Sequence, residues 1–70
     1  MWDSKFIECG VVKVDNTRVR VFKDRYNYVT IDTGQPIQMA LWAGDGSLNV
    51  YMANGRIRRY RDRVNFITMG

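Results

Sequence analysis

The sequence predicts an all-β fold, a small antiparallel meander curled into an SH3-like or OB-like barrel of six or seven short strands. Three observations predict it. Apolar and polar residues alternate with period two along most of the chain. Turn residues recur roughly every eight to twelve positions. No segment carries a helical period longer than a single turn. At 70 residues the chain reads as one domain, 1–70.

The elements follow in order. A first strand is expected over 5–14, with Ile7 and Cys9 on one face, Val12 and Val14 on the other, and a bulge at Gly10 where the parity switches. Asp15, Asn16 and Thr17 form a turn. A second strand over 18–23 puts Val19 and Val21 inward and Arg18, Arg20 and Phe22 outward. Residues 24–27 form a loop and offer the best site for a helix, of one turn only. A third strand over 28–32 turns Val29 and Ile31 inward, and Thr33, Gly34, Gln35 and Pro36 break the chain. Three further strands are expected over 37–43, 47–53 and 56–61, and a last one over 64–69 that closes on strand one or pairs with another chain.

Asp45-Gly46 and Asn54-Gly55 are strong signals for two-residue hairpins, and turn length fixes register. Two-residue turns pair Met39 with Met52, Leu41 with Val50, Trp42 with Asn49, Met52 with Ile57, Tyr51 with Arg58 and Asn49 with Tyr60. Ile37, Met39, Leu41, Ala43, Leu48, Val50, Met52 and Ile57 then share a core face. A three-residue loop at 44–46 would set Trp42 against Leu48 and scramble that set, so two residues are expected. The register leaves one awkward consequence: Arg59 and Arg61 fall on the core side, so either the strand runs past the core edge there or a bulge near Arg58 and Arg59 turns Tyr60 inward.

Composition narrows the function. There is one cysteine, Cys9, and no histidine, so no intramolecular disulfide forms and the commonest general base and metal ligand is missing. Cys9 is expected as a small buried hydrophobe. Neither a catalytic site nor a metal or cofactor is expected, since no nucleophile–base pair is visible and a core this thin leaves little room for a deep pocket. No apolar run approaches the ~20 residues of a membrane helix. The first five residues do not read as a signal peptide, and a cytoplasmic, membrane-free protein is expected.

The net charge is +4. Residues 1–55 carry six basic and six acidic groups, whereas 56–63 carry Arg56, Arg58, Arg59, Arg61 and Arg63 against Asp62 alone. The expected register places Trp42, Tyr51, Arg56, Arg58 and Tyr60 on one outward face, with Arg61 and Arg63 beyond. Rings stack on bases and guanidinium groups pair with phosphate. The function expected from this face is a non-catalytic binding module for single-stranded nucleic acid. The alternative is a small protein-binding module, either an inhibitor of a larger machine of the kind phages carry, or a homo-oligomeric assembly subunit. In the competing structural reading Trp42 forms a second core layer and Trp2 plugs one end. Neither RNP aromatic signatures nor a phosphate-binding glycine loop is present.

Overall fold

In the computed structural model, which describes residues 2–69, the chain opens with a helix where a strand was expected. Helix α1 spans Ser4–Cys9. Asp3 caps its start, the side chain accepting from the Lys5 amide at 3.0 Å. Gly10 ends it at φ 70, donating to the Phe6 carbonyl at 3.0 Å. An aspartate before and a glycine after are the two ends of a short capped helix. They outweigh the Ile7/Cys9 alternation, and Gly10 is a helix terminus and not a bulge. Cys9 is half-buried on this helix, less enclosed than expected.

Seven strands follow: β1 Val12–Asp15, β2 Arg18–Phe22, β3 Tyr28–Asp32, β4 Ile37–Trp42, β5 Leu48–Met52, β6 Ile57–Tyr60 and β7 Phe66–Met69. All neighbours are antiparallel, in two sheets ordered β1-β2-β3 and β4-β5-β6-β7. Residues 24–27 are a bend held by Asp24, whose carboxylate takes the amides of Tyr26 and Asn27. The last strand pairs with β6 and not with β1.

The sheets are joined along one side. The Ile37 amide of β4 donates to the carbonyl of Asn16, in the turn between β1 and β2, at 2.8 Å. The expected barrel does not close among the described residues. β3 ends one sheet and β7 the other, and the gap between them is a cleft of about 270 Å³ whose lining includes Thr30, Asp32, Arg58, Arg63 and Phe66. Arg58 spans it, its Nη1 donating to the Thr33 carbonyl at 3.3 Å while the guanidinium lies 4.8 Å from the Phe66 ring centre.

Both later hairpins turn through three residues and not two. Ala43 N donates to Ser47 O and Gly46 N to Ala43 O, with Gly46 at φ 86. Met52 N donates to Arg56 O and Gly55 N to Met52 O, with Gly55 at φ 91. Asp45 and Asn54 do not take positive φ, so each loop is an ordinary turn closed by a left-handed glycine. The observed pairs are therefore Trp42 with Leu48, Leu41 with Asn49, Ala40 with Val50, Tyr51 with Ile57 and Leu48 with Tyr60.

One residue of slip reverses which face a side chain occupies. Met39 and Leu41, expected inside, stand 42% and 50% exposed, while Ala40 and Tyr60 are buried. A bulge between Ile37 and Met39 lets Ile37 stay inside with Met52. Against them lie Val19, Val21 and Ile31 of the first sheet.

Candidate nucleic-acid interface

The face expected to bind is not assembled. Trp42 and Tyr60 turn toward the core, Tyr60 at 2% exposure. Trp42 packs edge-on against Trp2 with centroids 5.4 Å apart, and Trp2 does the same with Phe6 at 5.4 Å. Trp2 is itself 5% exposed, so the reading of these rings as core holds. Tyr51 lies on the opposite face of the second sheet from Tyr60 and Arg58, because Tyr51 pairs with Ile57 and Val50 with Arg58. Arg56 is exposed in the turn before β6, and Arg61 and Arg63 are exposed after it. Arg59 projects outward and reaches Asp45 at 3.6 Å. The arginine-rich segment is thus split between two faces and a loop.

The chemistry sought there occurs on the first sheet. Cross-strand pairing aligns Phe22 with Tyr28, Lys13 with Arg20 and Thr30, and Asp15 with Arg18 and Asp32. The inward partners of this alternation, Val19, Val21 and Ile31, are buried, so the outward face follows from period two. Phe22 and Tyr28 lie with centroids 5.1 Å apart and planes tilted by 40°. Lys13 Nζ stands 5.6 Å from the Phe22 centroid and the Arg20 guanidinium 5.5 Å from that of Tyr28. Two rings, each with its own cation, form one layer. Tyr28 is 47% exposed.

The loop after β2 extends the layer. Tyr26 is 80% exposed with Arg25 5.7 Å from its ring centre. Lys23 joins Lys5, Phe6, Asn27 and Tyr28 around a cleft of about 420 Å³. Asp24 is held below the usual carboxylate range by the Asn27 side chain and then by the Tyr26 and Asn27 amides, so it keeps a fixed negative charge within the loop. The ion pairs among the described residues are Arg18 with Asp32 at 3.6 Å and Arg59 with Asp45. Lys13 and Arg20 take part in neither, and their charge is directed at the rings and at solvent.

Sequence reasoning placed Arg18, Arg20 and Phe22 outward but did not join them to Tyr28 and Lys13. Counting charge along residues 1–55 gives zero and conceals the sorting, since Asp24 is used in its own loop and Asp32 in the pair with Arg18. Applying the hairpin pairing of the second half to Phe22 and Tyr28 would have found the layer. Comparison of the chain with models of protein families, with curated proteins and with solved structures yields no match.

Proposed function

We infer that the protein is a non-catalytic binding module for single-stranded nucleic acid, and that it binds through the outward face of its first sheet. The observation that carries this reading is the Phe22–Tyr28 layer with Lys13 and Arg20 set against its rings. Tyr28 is exposed and Phe22 half-buried in the same layer; rings on a sheet surface accept the faces of unstacked bases, at about 1–3 kcal/mol per base, and cations beside them meet the phosphates. A face this shallow suits a strand laid across it. In size the domain is comparable with OB-like modules, which bind oligonucleotides on a sheet surface although they have five strands in a barrel.

The test is fluorescence anisotropy with labelled single-stranded DNA and RNA oligonucleotides at low salt. Binding that survives in Tyr60→Phe and falls at least tenfold in Tyr28→Ala supports the reading. Absence of binding to either nucleic acid at low salt ends it. Tyr28 is 47% exposed and outside the buried core, so its substitution should leave the fold intact, as circular dichroism will verify.

A further inference from the structure

The second sheet presents the opposite chemistry on its outward face. Its register sets two rows across the four strands: Leu41, Asn49, Arg59 and Ile67, and beside them Met39, Tyr51, Ile57 and Met69. Six of the eight are apolar or aromatic. Leu41 is 50%, Ile67 49% and Met39 42% exposed, and Tyr51, Ile57 and Met69 are half-buried. The single charge, Arg59, is answered by Asp45 at 3.6 Å. The face therefore repels nothing, and a chain that leaves these side chains in water forgoes the stabilisation of covering them.

Its pattern is also its own complement. Consider a twofold axis parallel to the strands, lying between two such faces and over the gap between β5 and β6. It carries β4 onto β7 of the second copy and β5 onto β6. Leu41 then meets Ile67, Met39 meets Met69, and Tyr51 meets Ile57, each against an apolar partner. Asn49 meets Arg59. In the single chain the Asn49 Oδ1 and the Arg59 Nε are shut off from water with no hydrogen-bond partner. The two side chains are direct cross-strand neighbours within the chain, and the axis sets this polar pair against the same pair of the second copy.

We propose that this face is the interface of a twofold dimer of the chain, two sheets stacked with their strands aligned roughly 10 Å apart. Four strands span only about 14 Å, three spacings of roughly 4.8 Å. With four-residue strands at β6 and β7, rising roughly 3.3 Å per residue, the face is on the order of 200 Å² in outline, small beside the roughly 800 Å² per partner of a standard interface. The dimer is accordingly weak and its population rises with protein concentration. The nucleic-acid face, on the other sheet, stays open in it.

Sedimentation equilibrium across a wide range of protein concentration tests the proposal. The expected mass climbs from one chain toward two. Leu41→Lys and Ile67→Glu should each remain monomeric at concentrations where the parent chain is at least half dimer. Mixed in equal amounts they should dimerise, because the axis sets position 41 against position 67. Tyr28→Glu, on the other sheet, should dimerise as the parent does. A parent chain that is monomeric at every concentration overturns the proposal and leaves the face for a different partner. Two variants that stay monomeric on mixing, with circular dichroism showing both folded, overturn the arrangement. Oligonucleotide binding is read separately, so either result leaves the other standing.

Discussion

The indole Nε1 of Trp2 donates a 3.0 Å hydrogen bond to the backbone carbonyl of Tyr60, 58 residues away. That bond ties the start of the chain to the end of β6, and it is buried. Trp2 is also part of the buried core, edge-on to Phe6 and Trp42. Trp2→Ala should therefore cost about 3–5 kcal/mol, the range for a core aromatic. Trp2→Phe should keep most of the packing but strand the carbonyl, at about 1–3 kcal/mol. Urea denaturation separates the two. A Trp2→Ala variant as stable as the parent would show that the first residues do not belong to the core.

Trp42 presents the opposite balance. Its Nε1 is enclosed with no hydrogen-bond partner, and a buried N–H left unpaired costs about 1–3 kcal/mol. Trp42→Phe removes the donor while keeping a ring against Trp2 and Leu48. Its midpoint in urea should lie near the parent's or above it, whereas Trp42→Ala should lose about 3 kcal/mol or more. Equal losses in the two would mean that the indole N–H is satisfied in solution.

How much of this was legible in the sequence depended on turn chemistry. β3 was expected over 28–32 and runs Tyr28–Asp32, since Val29 and Ile31 alternate between clear breaks. The inward placing of Val19 and Val21 held for the same reason. In the second half the strands were found but their register was off by one, because Asp-Gly and Asn-Gly serve both two-residue and three-residue loops. The warning was present: two-residue turns drove Arg59 and Arg61 into the core. Three-residue turns remove that conflict, sending Arg59 outward and Tyr60 inward, with no bulge in β6 needed. The binding face moved with the register, since a face is defined by parity alone. The helix was missed because a six-residue element carries too little period to read, and only its caps announce it.

The salt dependence of oligonucleotide binding should report the cations of the first sheet. Each phosphate contact on a single strand contributes a slope of about 0.7 in log affinity against log salt. Lys13→Ala and Arg20→Ala should each reduce the slope by roughly that amount. Arg59→Ala, on the far face with Asp45, should leave it unchanged. If Arg59 rather than Arg20 shifts the slope, the strand binds the other sheet.

Acid should expose the role of Asp62. Its carboxylate accepts from the Val64 amide at 2.8 Å, the Asn65 amide at 2.7 Å and the Asn65 side chain at 2.8 Å. These bonds, the Asn65 amide foremost, hold it far below the usual carboxylate range. A depressed folded-state value means that its contribution is complete at neutral pH. The contribution declines as pH falls below about 4, the value in an unfolded chain. Asp62→Asn should melt lower than the parent at pH 7, and the gap should narrow steadily from pH 4 downward. A gap that is constant from pH 7 to pH 2 would show that the bonds, and not the charge, are what the loop uses.

The two glycine-closed loops make a prediction that separates them from primed turns. At Gly55, φ is 91 and a Cβ would meet nothing within 4 Å. Any cost of Gly55→Ala is then the left-handed backbone itself, about 1–2 kcal/mol. Gly55→Asn should cost less, because asparagine tolerates that region. Asn54 does not take positive φ, and its side chain accepts from the Arg56 amide at 3.0 Å. Asn54→Ala loses two exposed hydrogen bonds, this one and the long 3.4 Å donation from its Nδ2 to Gln35 Oε1, at about 0.5–1 kcal/mol together. A two-residue turn would place both central residues in the left-handed region and make the two alanine substitutions similarly damaging. Thermal melts that rank Gly55→Ala well below Asn54→Ala support the three-residue loop, and with it the register that pairs Tyr60 with Leu48 and sets Tyr51 and Arg58 on opposite faces. Equal melts would return Tyr51 and Arg58 to a common face.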